Sequence, residues 1–252
     1  MIVRDRPSGL KLFLLLRGSV LQQIWKVLLI NVLLATLVTF THGVLFSQKI
    51  TLTAIPFTLI GLPLAIFLGF RNTAAYDRYW EARKLWGELL LRCRNLSRQC
   101  QSLINLPQPV QPGAGRDDIR VRMVHRAIAF CHALRQQLRG VPDRGEVQAL
   151  LQPPEWQALQ RSGSPTTLLM HHMGLDLQHC LRNGHIGEPL AASIDNTLSA
   201  LVSAAASCER IKSSPLPFSY TLLLHRTAYM YCFLLPFGLV DTTGFMTPFV
   251  VA

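Results

Sequence analysis

Three residues of this chain, His172, Asp176 and His179, have the side chains and the spacing to hold a divalent cation. At i, i+4 and i+7 they share one face of a helix. A tetrahedral site needs a fourth ligand and outer partners that orient the imidazoles, and the adjacent His171 falls on another face. The set is a weak metal candidate, and neither a metal nor a cofactor is expected. The six cysteines, Cys93, Cys100, Cys131, Cys180, Cys208 and Cys232, include no C-x-x-C pair and read as small apolar fillers. No H-E-x-x-H, P-loop, G-x-S-x-G or dinucleotide fingerprint occurs, so catalysis has no visible chemistry and an enzyme is not expected.

Two other groups stand out. Tyr76, Tyr79, Trp80, Arg83 and Trp86 recur at three- to four-residue spacing along one helical face, and Arg78 and Glu81 stand at i, i+3, able to pair along a helix. The cluster reads either as a substrate-binding surface or, more plainly, as a buried junction locking a long helix against its neighbours. Further on, Glu188-Pro189 puts a proline at the start of a helix, and Glu188 reads plainly as a surface glutamate at a helix N-terminus. Arg226 lies inside an apolar run, where it is costly unless paired; Asp77 or Glu81 is the expected partner.

The elements that position these residues follow from hydropathy. Half of the 252 residues are hydrophobic and 15% are charged, unusual for a soluble chain. Apolar spans cover residues 24–46, 52–70 and 220–240. The second contains no charge over a length close to the roughly 20 residues that cross a bilayer. No proline falls between Pro63 and Pro107, so one helix is expected to leave the membrane and continue into the charged sequence. Such a helix joins a membrane pore to a cytosolic body and points to a channel more readily than to an enzyme. Pro56 and Pro63, seven residues apart, are expected to bend it. Residues 10–16, before the first span, suit a short interfacial helix, and residues 47–51 a tight outside loop.

Residues 71–219 read as helices. A proline- and glycine-rich break covers 107–115, Asp117 or Asp118 caps a helix over 119–138, and Ser164 caps one from Pro165 to about Leu181. The last begins at Glu188-Pro189, with Leu190, Ile194, Leu198, Leu201, Ala205 and Cys208 on its apolar face. No sustained period-two alternation occurs, so the class is all-α: an integral membrane helical bundle with a helical cytosolic region. The expected division is 1–70, carrying the first two membrane helices, 71–219, the cytosolic helices, and 220–252, the third membrane helix and the start of a fourth.

The formal charge of +11 is concentrated before residue 24 and between 71 and 219. The positive-inside rule therefore puts the N-terminus and the middle segment in the cytoplasm. Flanking membrane spans and the lack of an RNA-binding motif argue against a nucleic-acid partner. No small-residue cleavage site follows the short apolar stretch near the N-terminus, so a signal peptide is not expected.

The run from Phe67 to Gly87, which fixes Arg71, Asn72, Tyr76, Arg78, Trp80, Glu81, Arg83 and Trp86 at set spacings, resembles the signature of the bestrophin family in its prokaryotic branch. Pro215-Leu216-Pro217-Phe218-Ser219-Tyr220, His225-Arg226, Leu235-Pro236-Phe237 and Met246-Thr247-Pro248-Phe249-Val250 carry the likeness on; it is weakest between Pro107 and Glu188. The resemblance implies a homopentameric channel of the inner membrane that conducts small monovalent ions, chloride above all. Its second membrane helix would line the pore, with Leu62, Ile66 and Phe70 forming a narrow apolar neck. Glu188 and Pro189 match the cytosolic aperture, and Leu190 or Ile186 are alternative constrictions. Five Glu188 carboxylates would favour cations, whereas five helix N-termini would favour anions. A formal charge outweighs a helix-end half-charge, so an aperture built this way leans to cations. Residues 246–252 start a fourth span too short to cross a bilayer. The resemblance implies a full fourth helix and a cytosolic tail beyond such a start. The acidic segment that supplies the calcium site in animal members lies there, so calcium gating is not expected. The rival readings are a non-conducting membrane scaffold or signalling protein and, with only His225 and Arg226 as polar groups within the spans, a membrane-embedded enzyme.

Overall fold

The computed structural model describes residues 21–41, 44–45, 48–49, 54–107, 115–142, 145–215 and 217–251. The expected interfacial helix at 10–16 and most of the break at 107–115 lie outside the described residues. Helices dominate: α1 (Leu21–Phe40), α2 (Ala54–Leu103), α3 (Ile119–Arg139), α4 (Pro153–Arg161), α5 (Pro165–Arg182), α6 (Glu188–Ser213), α7 (Phe218–Thr243) and α8 (Thr247–Val251). The β structure among the described residues is one small hairpin, β1 (Val44–Leu45) against β2 (Gln48–Lys49), antiparallel, with Val44 opposite Lys49 and Leu45 opposite Gln48. The chain divides into two compact units. One combines Met1–Thr73 with Leu216–Ala252, and the other is Ala74–Pro215.

In the first unit α1 packs on α7 and α8, with Val38, Phe237 and Val240 buried together. The first apolar run stays helical only to Phe40, short of residue 46, and its end enters the hairpin instead. Thr36, Thr39 and Thr41 donate their hydroxyls to the carbonyls of Val32, Ala35 and Leu37, one turn back, so these polar side chains are satisfied within an apolar helix. Phe57 and Tyr231 meet edge to face with ring centroids 6.1 Å apart, joining α2 to α7, and Gly238 of α7 sits directly against the Phe57 ring. Among the described residues, three segments are long and apolar enough to cross a membrane: Gln23–Phe40, the helix holding Ile55–Leu103, and Phe218–Val251.

α2 runs unbroken for 50 residues. Pro63 lies inside it, whereas Pro56 falls in the first turn, where the backbone N–H has no partner in the helix anyway. Of the two prolines expected to bend this helix, only Pro63 therefore removes an internal hydrogen bond.

The second unit is a bundle whose core repeats helical spacing on each element. Leu89, Leu96 and Cys100 of α2, with Ile104 just beyond its end, meet Met123, Ala127, Phe130 and Leu134 of α3, Leu169, Met173, Leu177 and Cys180 of α5, and Ile194, Leu198, Leu201, Ala205 and Cys208 of α6. Asp118 caps α3: its carboxylate accepts from the Arg120 backbone N–H at 2.8 Å, and Gly140 closes the helix at φ 64°. Ser164 stands before α5, but its hydroxyl pairs with the Thr167 hydroxyl at 2.7 Å rather than with a backbone N–H.

Candidate functional site

The stretch of α2 that precedes the charged sequence is left uncovered over most of its surface, Phe57 excepted, and an apolar row runs along it. Leu62, Ile66 and Phe70, each about one turn beyond the last along it, are 67%, 48% and 67% exposed, and Ile55 and Leu59 extend the same row toward the helix start. Lining up apolar side chains every three to four residues and leaving them without intrachain cover makes a surface suited to lipid, to other copies of the chain, or to a dewetted opening. Arg71 and Asn72 follow immediately on the same helix, Arg71 half-buried and Asn72 exposed.

Within the second unit, the motif residues on α2 grip the C-terminal end of α6. The Arg78 guanidinium donates to the carbonyls of Ile211 at 2.6 Å and Ser214 at 2.8 Å. These belong to the end of α6, where carbonyls lack helical donors and the helix dipole is negative, so a guanidinium satisfies both needs at once. The Glu81 carboxylate accepts from Arg210 at 2.6 Å. The expected Arg78–Glu81 pair along one helix is therefore replaced by two contacts across helices. Glu81 is engaged by Arg210, and Arg226 is exposed on α7.

Further along α2, Asn95 donates to the Thr197 hydroxyl at 3.5 Å, and Gln99 donates to the Ser193 carbonyl and hydroxyl at 3.3 and 3.2 Å. As α2 advances from Arg78 through Asn95 to Gln99, its partners recede from Ser214 through Thr197 to Ser193. The two helices are thus antiparallel and fixed in register by polar side chains. The rest of the aromatic-basic cluster is not buried by the chain itself: Tyr76, Tyr79, Trp80, Arg83 and Trp86 are all exposed, with Lys84 placed over the Trp80 ring at 5.8 Å.

The far end of α6 carries the aperture candidates. Gly187 begins the helix, its carbonyl accepting from the N–H groups of Leu190 and Ala191. Glu188, in the first turn, and Pro189 are both exposed. A carboxylate here is favoured by the helix dipole. Leu190 is 42% exposed, and the buried face of α6 runs through Ala191 instead, which displaces Leu190 from the expected core row. Ile186 is 4% exposed and belongs to the core, leaving it unavailable as a constriction.

The metal candidates are separated by other partners. Asp176 accepts from Arg122 Nε and Nη2 at 3.1 and 2.8 Å and from Arg126 Nη1 at 2.6 Å. Arg126 also reaches Glu155 at 2.6 Å, and Glu155 lies 3.2 Å from His172 Nδ1. His179 pairs with Asn183 at 2.8 Å. No group of three or more metal-ligating side chains occurs among the described residues. Asp176 instead centres a buried ion network joining α3, α4 and α5, and hydrogen bonding to it raises Arg122 above the ordinary guanidinium value. Sequence reasoning flagged Asp176 and His172 but missed their partners. The signal was Arg122 and Arg126, an i, i+4 basic pair on a helix that also carries the core row Met123, Ala127 and Phe130.

A chain that is helical over most of its described residues, with membrane-length apolar segments and a separately packed helical unit, is an integral membrane protein of the helical type. It belongs to the bestrophins: the sequence model of the bacterial and fungal bestrophin proteins matches residues 1–252. A voltage-dependent anion channel-forming protein of Mesorhizobium japonicum is 40% identical over 257 aligned residues, covering 100% of this chain and 78% of the relative. The voltage-dependent anion channel-forming protein YneE of Escherichia coli K12 is 39% identical over 251 residues, with 99% and 79% covered. Among solved structures, a bacterial bestrophin homologue from Klebsiella pneumoniae superposes with a TM-score of 0.80 at 37% identity, over 89% of this chain and 80% of that one.

Proposed function

We propose that this protein is a bestrophin-type ion channel of the bacterial inner membrane: a passive, non-enzymatic conduit for small monovalent anions, assembled as a homopentamer. The observation that carries the reading is that the whole chain matches the family, with relatives named anion channel-forming proteins. In this reading the first unit lies in lipid with the N-terminus cytoplasmic, and the second unit is cytosolic. The apolar part of α2 lines the pore, where Leu62, Ile66 and Phe70 form successive rings. An apolar ring conducts when wetted and stops conducting when water withdraws, so it gates without a hydrogen-bonding group. The exposure of these three side chains supports the assignment, since a neck residue must be left uncovered by its own subunit.

One observation favours a second reading, cation preference. Glu188 is exposed at the first turn of α6 beside Pro189. Repeated around a fivefold ring, a charge about 6 Å from an ion is worth roughly 3 kcal/mol at an effective dielectric near 20 before screening.

Purified protein in liposomes tests all of this. Flux is expected, with a reversal potential under a chloride gradient on the anion side. Glu188→Gln and Glu188→Lys should each move that potential further toward anions if the carboxylate faces the conduit; a potential unmoved in both leaves Glu188 a helix-end residue. Replacing Leu62, Ile66 and Phe70 together with alanine should raise single-channel current, and unchanged current in an assembled triple variant rejects the neck. A dominant monomer or dimer by mass measurement in detergent rejects the pentamer, and absence of flux from assembled protein would leave a scaffold role.

A further inference from the structure

Among the described residues, two thiols are in sulfur-to-sulfur contact: Cys93 of α2 and Cys131 of α3, with Sγ atoms 3.5 Å apart. Both are half-buried, so neither is sealed in the core nor freely exposed. By contrast Cys180 is buried, its thiol pushed by that burial up to about 11, and Cys208 is buried and raised for the same reason. Such thiols stay protonated and inert. The Cys93–Cys131 contact is different in kind. Closing it to a bonded distance of about 2.05 Å requires the sulfurs to approach by roughly 1.5 Å.

We propose that Cys93 and Cys131 form a peroxide-oxidisable dithiol that closes to a disulfide and staples α2 to α3. Either thiol can donate the hydrogen bond between them, and the order of attack is part of the proposal. Bonding to Cys93 and burial both raise the Cys131 thiol above the ordinary cysteine range, so Cys131 keeps its proton and Cys93 supplies the electron-rich sulfur. Cys93 sulfur attacks one oxygen of hydrogen peroxide; the S–O bond forms, the O–O bond breaks, and the departing hydroxide leaves as water with the Cys93 proton. Cys131 sulfur then attacks the sulfenic sulfur. The S–S bond forms, the S–O bond breaks, and the second hydroxide leaves as water with the Cys131 proton. Two thiols are oxidised by two electrons and one peroxide is reduced to two waters. A dithiol reductant reverses the step. The bond closes a loop of 38 residues and thereby restricts the unfolded chain.

The intact detergent-solubilised protein, treated with hydrogen peroxide and then alkylated and digested without reductant, tests the assignment on the wild-type chain alone. The expected product is a linked peptide pair carrying Cys93 and Cys131, lost on dithiothreitol treatment, with two of the six thiols per chain protected from alkylation and an upward shift in melting temperature. Both cysteines fully alkylated after a treatment that oxidises a small free thiol in the same tube would overturn the proposal, as would linkage of either to another cysteine. In Cys131→Ser, dimedone should trap a sulfenic acid on Cys93, and in Cys93→Ser it should label Cys131 several-fold less. Equal or reversed labelling would overturn the order of attack.

Discussion

Replacing Asp176 with alanine should be among the most damaging single changes in the second unit, although the residue touches no part of the proposed conduit. Its carboxylate accepts three bonds from two guanidinium groups, at 3.1, 2.8 and 2.6 Å. The side chains of Arg122, Arg126 and Asp176 retain 20%, 11% and 11% of their exposure, so water replaces little of what is lost. With Asp176 and Glu155 present, two cations face two anions; without Asp176, two guanidinium groups share the Glu155 carboxylate. Breaking a buried pair on one side costs about 3–5 kcal/mol, because the stranded charge keeps its desolvation penalty. A domain of this size loses a few degrees of melting temperature per kcal/mol, so a fall on the order of 10 °C is expected. The assay is thermal unfolding of the solubilised protein followed by tryptophan fluorescence, with Trp156 reporting from α4. Asp176→Asn should fall between, since its amide oxygen still accepts. Arg122→Leu added to Asp176→Ala should recover part of the loss by removing the stranded charge. A melting temperature for Asp176→Ala within about 2 °C of wild type would refute the reasoning.

Other consequences are open to direct measurement. Arg78→Ala should leave the Ile211 and Ser214 carbonyls without their donor and loosen the end of α6, read as faster hydrogen exchange over 208–214, while Arg78→Lys should restore it only in part because one ammonium cannot fork to two carbonyls. Gly238→Ala places a methyl less than 3 Å from Phe57 ring carbons and should cost about 1–3 kcal/mol through overpacking, with Phe57→Leu restoring thermal stability in the double variant. The Arg120 guanidinium, bonded to Asp118, holds that carboxyl below the ordinary carboxylate range. The stability this gives is present above the unfolded-state value near 3.9 and is lost as pH falls through the lower folded value, so an acid titration of melting temperature should flatten there in Asp118→Asn.

Legibility in the sequence followed the range of the interactions. The apolar spans, the motif from Phe67 to Gly87 and the Asp118 cap depend on residues within a few turns of one another, and pattern alone exposes them. The α6 core row was read almost whole; only Leu190 was misplaced, because Ala191 occupies the buried position and a small residue carries little hydropathic signal. What stayed hidden was partnership across helices. Spacing offered Glu81 as a neighbour for Arg78, yet the guanidinium goes to backbone carbonyls more than 130 positions away, and a carbonyl has no letter in a sequence. Asp176 looked like a ligand because its helix shows two histidines beside it, whereas the arginines that claim it stand on α3.

Pro63 has a consequence for which way α2 faces. Lacking an N–H, it leaves the Leu59 carbonyl without the donor that every interior turn of an α-helix supplies. Hydrocarbon offers no replacement, and an unmet carbonyl there costs several kcal/mol. That oxygen must be answered by water, by a tightened local turn, or by a group on a neighbouring helix. Leu59 and Leu62 flank the defect on the row that continues to Ile66 and Phe70, so the side of the helix that looks most greasy by its side chains is also the side with a backbone thirst. A surface turned permanently toward acyl chains is a poor place for such an oxygen; one that meets water even intermittently is a good one.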